Sequence, residues 1–534
     1  RQVMRTSLAA EISGLATRLD RLAQQHRNTL DFTLFDLREA IVEVAAHFPV
    51  YRTYVREEKV SAEDAQHIRR AVGLAMNRNQ SARRALQFLE RVLLGELAQD
   101  APRRAAALEF TLKFQQVTAP VMAKGIEDTV YYRYPGLLAM NEVGGDPQCR
   151  GISTEAVHRA NEWRAREYPR CVLATSTHDT KRGEDARYRL CVLTEMPEEW
   201  AACVSRWRRL KTRRRDHSSV GAAQEYLLLQ SLLAIWPLDW VSEDLPAEVS
   251  SGLRTRMEEY AVKAAREAKE QTSWLEADES YEDRLRHYVR LLLPGDSATG
   301  FQRYFRPVLE QVAYFGMLNS LSASVLKFTA PGVPDTYQGN ELPAFVLVDP
   351  DNRRIPDLQA HAQALDALVK SVDASSLVQV AGALLQSWRD GHLKLFLTWR
   401  LLTLRAANPA LFDAGAYVPL SVEGSQAAHL CAFARVTPHS AIIVVVSRWA
   451  ATLMQGAVAP PLGAAWDDAR ISLPAEVPVG EYIDVFTGHT LLLGASTDAG
   501  RTLKAHELFG TLPVCVLIAG GVTPAIQTAA GNGL

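Results

Sequence analysis

Apolar residues recur at steps of three and four from the start of the chain: Met4, Leu8, Ile12, Leu15, Leu19 and Leu22. That spacing lines one helix face, and no capping residue precedes it. Residues 1–115 read as mostly helical, with one break. At Phe48-Pro49-Val50-Tyr51-Arg52-Thr53-Tyr54-Val55 the pattern alternates and predicts a strand ending in aromatics and an arginine. Helical spacing returns over 62–98. The short apolar run Cys171-Val172-Leu173-Ala174 predicts a buried strand. Helices follow over 195–290, and within them 257–269 alternates acids and bases as an exposed helix with i,i+4 pairs would. A second strand is predicted at Val325-Leu326-Lys327-Phe328, then a helix over 391–408. From about residue 412, short β-branched runs punctuated by Gly and Pro (441–446, 482–486, 512–518) predict an antiparallel β-domain.

Composition narrows the class without naming a function. The chain has 534 residues, 47% hydrophobic and 22% charged, and a formal net charge of −2. These are the values of a globular protein of roughly two to four domains. No global field would hold it on nucleic acid or an anionic membrane, and no apolar run approaches the roughly 20 residues that cross a bilayer. The basic run over 206–215 reads as a solvated helix face, because acids flank it. Six scattered cysteines without a CxxC point to reduced thiols and a cytoplasmic setting. The chain begins with Arg1, already inside a helical pattern, and so reads as the C-terminal part of something longer.

Candidate chemistry gathers in the loops. After the strand at 171–174 comes Ser176-Thr177-His178-Asp179-Thr180-Lys181-Arg182-Gly183-Glu184-Asp185-Ala186-Arg187. Polar residues at a strand tip are what an α/β barrel places at its active face. A His-Asp pair there can grip neighbouring hydroxyls of one sugar, and the carboxylate can stabilise charge developing at an anomeric carbon. Alone, such a pair is more often a cap or an ion pair. Tyrosines mixed with charges and glycines over 121–147 suggest a binding surface. Two prolines and two glycines fix the loop Pro331-Gly332-Val333-Pro334-Asp335-Thr336-Tyr337-Gln338-Gly339-Asn340-Glu341, whose Asp335 and Glu341 read as braces. Val348-Asp349-Pro350-Asp351-Asn352-Arg353-Arg354 reads as a structural loop in which Asp and Arg pair locally.

Taken together, these segments resemble the maltooligosyl trehalose synthase family of α-amylase-type enzymes, within glycoside hydrolase family 13. FPVYRTYV (48–55), AKGIEDT (123–129), NEVGGDP (141–147), STHDTKRGEDAR (176–187), KAAREAKEQTSW (263–274) and VDPDNRR (348–354) carry the likeness, in order, over about 20–520. The resemblance implies an α/β fold: the late part of a (β/α)8 TIM-type barrel with helical insertions, plus a C-terminal antiparallel β-domain. The expected parts are a barrel segment at 1–60 with a strand near 48–55, a helical insertion at 61–110 and a barrel segment with active-site loops at 111–195. A second insertion at 196–295, the last barrel strand with helices at 296–410 and a β-domain at 411–534 complete the plan.

The implied reaction is intramolecular transglycosylation, turning the reducing-end α-1,4 linkage of a maltooligosaccharide into an α,α-1,1 linkage. The alternatives are another family 13 glucan hydrolase or transglycosylase, or a non-catalytic glucan-binding piece. Asp179 is implied as the transition-state-stabilising carboxylate and His178 as its neighbour on the transferred sugar. The family's nucleophilic Asp and general-acid Glu have no counterpart before residue 30 and are expected upstream, leaving this chain alone inactive. Rearrangement also needs a closed pocket that keeps water out while a sugar turns over. Tyr51, Arg52, Lys124, Glu127, Asp128, Lys181 and Arg182 are expected to line it. No organic cofactor or metal is implied, since carboxylates carry the chemistry. The expected partners are an α-1,4-glucan substrate and, in the pathway, a maltooligosyl trehalose hydrolase, with no nucleic acid and no membrane.

Overall fold

The computed structural model describes residues 1–56, 59–97, 101–149, 151–213, 220–293, 300–494 and 501–519. The chain divides into two compact units, Arg1–Tyr134 with Ala264–Ala277, and Pro135–Lys263 with Asp278–Leu534.

The first unit is helical. Helices Ala9–Ala23, Leu34–Ala46, Ala62–Arg78, Arg83–Leu93 and Ala101–Met122 bury Ile12, Leu15, Leu19, Ile41, Leu89 and Phe110 in one core. The three-four spacing at the start of the chain therefore marks a packed face. Residues 48–55 do not form the predicted strand. Residues 49–51 bend, and over 53–55 the partners are side chains. Gln115 accepts from Val55 N and the Thr53 hydroxyl and donates to Val55 O, while Asp64 accepts from Tyr54 N. One glutamine amide thus does for the backbone what a neighbouring strand would. Pro120 removes a donor from the end of the Ala101–Met122 helix, and Ala123–Val130 continues it with π-helical bonding, a form concentrated at functional sites.

The second unit mixes helices with antiparallel sheets. β1 (Val172–Leu173) and β2 (Val333–Pro334) pair in parallel, Val172 opposite Val333. The strand at 171–174 is shorter and less buried than predicted, with Val172 68% exposed. Residues 325–329 are the end of the long helix Gly300–Thr329 and not a strand. Leu318, Leu321, Val325 and Phe328 step by three and four and are all buried, so helical period wins over the β-branched composition. This helix packs on Glu184–Cys191. Gly316 permits the approach, since a Cβ there would stand 2.7 Å from Arg189 Cα.

Toward the C-terminus, β3 (Ala416–Pro419), β5 (Leu430–Val436), β6 (Ala441–Ser447), β8 (Gly480–Asp484), β9 (Thr490–Leu493) and β11 (Val514–Ala519) form a six-stranded antiparallel sheet. Its order is β3-β5-β6-β11-β8-β9, and β4 (Val422–Glu423), β7 (Arg470–Leu473) and β10 (Arg501–Lys504) make a smaller one. Every residue of β6 and β11 is buried, which explains their unbroken apolar runs.

Two local readings change. The 257–269 stretch is not an exposed helix: Met257, Tyr260, Ala261 and Ala264 are buried, and Glu258 pairs with Arg290 rather than along its own helix. In the basic run, Arg208 and Lys211 both bind the buried Glu225 and Trp207 is core, while Arg214 and Arg215 lie outside the described residues. All six cysteines are free thiols. Among the described residues, no helix is long and apolar enough to cross a membrane.

Candidate active site

The His178–Asp179 turn sits between β1 and the Glu184–Cys191 helix, with both residues exposed. Short polar side chains fold the turn: Thr180 Oγ1 donates to Thr177 O, and Asp179 N donates to Thr177 Oγ1. Two side chains from elsewhere then brace it. The Glu142 carboxylate accepts from Lys181 N at 2.7 Å and Arg182 N at 3.1 Å, and pairs with Arg187 at 3.3 Å. From the other side, Asn352 Nδ2 lies 3.0 Å from His178 O, 3.3 Å from Thr177 O and 3.4 Å from Thr180 O. Donors and acceptors of the turn are thus held while its two tip side chains stay exposed.

Asn352 is itself fixed by its neighbour. Asp351 binds Arg256 through two contacts, at 2.7 and 2.9 Å, and accepts from Leu347 N. Within the 348–354 segment Arg353 pairs with Asp349 and Arg354 with Asp351, the local pairing its Asp-Arg pattern suggests. Neither Glu142 nor Asn352 stood out from sequence as a site residue, although both lie inside distinctive segments.

Behind the turn lies a buried ionic cluster. Lys394 Nζ is 2.7 Å from Glu184 Oε1 and 2.8 Å from Asp185 Oδ2. Lys327 Nζ is 3.2 Å from Glu184 Oε2, and Thr175 also donates to Glu184. Asp185 further accepts from the Ser320 hydroxyl and Ala344 N. Burial pushes the Glu184 carboxyl up, but the charges of Lys394 and Lys327 outweigh it and hold it at about 2. Burial likewise pushes the Lys394 ammonium down, and Asp185 and Glu184 outweigh that and raise it. The cluster anchors the helix that begins where the turn ends. Gly183 makes the junction, its N–H donating to Val346 O; a Cβ there would lie 2.9 Å from Ala344 O.

The predicted site residues fall into two groups. In the second unit are His178, Asp179, Lys181 and Arg182. Lys181 is 4% and Arg182 2% exposed. The Arg182 guanidinium donates to Leu138 O and the Tyr260 hydroxyl, so it is turned inward and not along an open surface.

In the first unit, the Tyr51 hydroxyl donates to the buried Glu127, and Lys124 pairs with Asp128 at 2.5 Å on the π-helical turn. Lys269 donates to Asp128 O and the Thr129 hydroxyl at 3.0 Å. Arg52 lies 4.7 Å over the Tyr54 ring. Tyr131 and Tyr132 are buried and Tyr134 is exposed. Trp274 is 55% exposed and donates to Glu267.

No family model matches the chain. Two curated proteins, both described as a putative maltooligosyl trehalose synthase and from two strains of Mycobacterium tuberculosis, are 34% identical over 413 residues. The match takes in 77% of this chain and 46% of each relative, so the chain spans about half the length of the curated proteins it matches. Among solved structures, the maltooligosyltrehalose synthase from Arthrobacter ramosus aligns with a TM-score of 0.74 and 30% identity, covering 97% of this chain and 57% of that one. A hypothetical maltooligosyl trehalose synthase from Sulfolobus tokodaii aligns at 0.62 and 25% identity, over 94% of this chain and 58% of the other.

Proposed function

The chain is a homologue of the maltooligosyl trehalose synthases, and from that premise we propose that it forms the later part of an enzyme rearranging the reducing-end linkage of α-1,4-glucans. The observation that carries the proposal is the match to those enzymes over nearly the whole chain, together with a His-Asp turn exposed at its tip and braced on both sides. The parallel pair β1–β2, joined through helices, supports reading the two strands as late members of a (β/α)8 barrel.

The reaction would retain configuration. A nucleophilic carboxylate attacks the anomeric carbon while a general acid protonates the leaving oxygen, giving a glycosyl-enzyme. Both groups are expected in the part of the parent protein that precedes this chain. Asp179 supplies a third carboxylate. Ionised and hydrogen-bonded to hydroxyls of the transferred sugar, it gains most as those hydroxyls polarise toward the oxocarbenium-like transition state. His178 holds the same sugar. The released glucose then turns over and returns its own anomeric hydroxyl to the glycosyl-enzyme, closing the α,α-1,1 linkage. That step requires water to be kept out.

Lys181 and Arg182 act from beneath the turn. Their N–H groups fix its geometry through Glu142, and Arg182 sets its base against Tyr260. Tyr51, Arg52, Lys124, Glu127 and Asp128 are proposed as substrate-binding residues, with Tyr51–Glu127 and Lys124–Asp128 already oriented as pairs. The product is a terminal trehalose unit, which a maltooligosyl trehalose hydrolase would release.

Incubation of the full-length enzyme with maltopentaose tests the reading: reducing ends should disappear without shortening of the chain. Net accumulation of reducing sugar would replace rearrangement by glucan hydrolysis, the second reading. In the same enzyme, Asp179→Asn should lower turnover by about a thousandfold or more, as loss of a transition-state charge contact does, with an unchanged circular dichroism spectrum. Near-normal turnover would remove Asp179 from the chemistry.

A further inference from the structure

Three side chains of helix Ala247–Ala268 reach the segments from which the His178–Asp179 turn hangs. Arg256, Tyr260 and Lys263 stand at steps of four and three, so they share one helix face. Arg256 Nε and Nη2 hold the Asp351 carboxylate at 2.9 and 2.7 Å, and Nη2 also donates to Phe345 O at 2.6 Å. The buried Tyr260 hydroxyl accepts from Arg182 Nη2 at 3.0 Å, and Lys263 Nζ donates to Asp349 O. The face thus grips residues 345–351 and the foot of the turn together.

The gripped segments are themselves joined. Arg182 lies opposite Leu347 in an antiparallel bridge, and Gly183 N donates to Val346 O at 2.9 Å. Asp351 accepts from Leu347 N at 2.8 Å, and the neighbouring Asn352 holds the carbonyls of the turn. A shift of 345–351 therefore carries the bridge and the Asn352 brace with it. Hydrogen bonds from Arg256 and Lys263 are charge-assisted, the strong and directional kind, which suits holding a loop in register.

We propose that Arg256, Tyr260 and Lys263 are positioning residues for the rearrangement. One helix face sets the height and direction of the turn, and through it the aim of the Asp179 carboxylate. The reaction named here rests on the function proposed above; the clamp itself follows from the contacts. Orientation carries a large share of enzymatic rate, and a misplacement of about 1 Å by a change away from the chemistry costs about a hundredfold. The fold has less at stake: Tyr260→Phe leaves the ring packed and removes a single hydrogen bond.

Steady-state rates of the full-length enzyme on maltopentaose test the proposal through a double-mutant cycle. Tyr260→Phe and Lys263→Met, each with an unchanged melting midpoint, should lower kcat about tenfold and leave KM within about twofold. In an Asp179→Asn background the same substitutions should cost less than about twofold, because the carboxylate they aim is gone. A role confined to stability would lower the rate equally in both backgrounds. Where Lys263→Met lowers the midpoint, Tyr260→Phe decides. Unchanged kcat in Tyr260→Phe, or an equal loss with and without Asp179, overturns the proposal. Amide exchange at Lys181 N and Arg182 N supplies a readout independent of turnover, and in Tyr260→Phe it should quicken about tenfold. Rearrangement by the wild type with unchanged exchange in Tyr260→Phe overturns the clamp alone and leaves the proposed function standing. Quickened exchange in an enzyme that only hydrolyses overturns the reaction and leaves the clamp standing.

Discussion

Replacing Lys394 by methionine removes the central cation of the buried cluster while keeping an unbranched side chain of similar length. The Lys394 side chain is 3% exposed, and the Glu184 and Asp185 side chains it contacts are each 2% exposed. Breaking a buried ion pair by removing one partner costs about 3–5 kcal/mol, because an uncompensated charge stays behind. Here Lys327 still faces Glu184, and Ser320 and Ala344 N still face Asp185. The lower end, about 3 kcal/mol, is therefore expected. For a unit of this size that is on the order of 4 °C in the midpoint of its unfolding transition.

The pH dependence supplies a sign. Glu184 titrates at about 2 in the folded wild type against an ordinary 4.5. A depressed carboxyl contributes stability that is present above 4.5 and is lost as pH falls toward 2. In Lys394→Met the same carboxyl loses the larger of its two cationic partners, so acidification relieves the variant while it weakens the wild type. Thermal melts followed by near-ultraviolet circular dichroism, at about pH 7 and about pH 4, read both curves. The gap should be widest at neutral pH and narrow on acidification, and adding Glu184→Gln should restore part of the loss. A neutral-pH gap below about 1 °C, or one that widens in acid, would refute the ionic account.

Three further outcomes follow from the brace and its junction. Asn352→Leu removes the donor shared by three carbonyls, at a cost of about 1–3 kcal/mol in the turn; turnover of the full-length enzyme should fall about tenfold or more while its melting point moves little, and unchanged turnover would contradict the brace. Glu142→Gln weakens the charge-assisted bonds to Lys181 N, Arg182 N and Arg187, and amide exchange at those two N–H groups should quicken about tenfold or more. Gly183→Ala forces a Cβ within 2.9 Å of Ala344 O and Val346 Cγ2; overpacking of this kind costs about 1–3 kcal/mol, measurable as a lower unfolding midpoint, and a neutral effect would show that the 344–346 segment yields.

Sequence periodicity reached those elements whose packing is local or repetitive. The three-four face of the first helices and the apolar runs of β6 and β11 are visible in the chain because one buried helix face dictates every third and fourth residue, while burial of both strand faces dictates every residue. It failed where a side chain takes the place of a strand, as Gln115 does for residues 53–55, and where β-branched residues end a helix at 325–329. The His-Asp turn was legible as an exposed polar turn following a strand. Its support was not, because Glu142 and Asn352 act across 39 and 174 positions of chain, and no window sees such a pair. The inward turn of Arg182 was hidden for the same reason: its partners, Leu138 O and Tyr260, are 44 and 78 positions away.

The brace has a consequence for transplantation. Although residues 176–187 look like a self-contained cassette, the turn takes its shape from one carboxylate before it and one amide far behind it. Moved alone into another barrel, the dodecamer would carry His178 and Asp179 without the geometry that aims them. A graft must bring the 141–147 and 348–354 segments as well, and a designer who recodes either one is editing the His178–Asp179 turn without touching it.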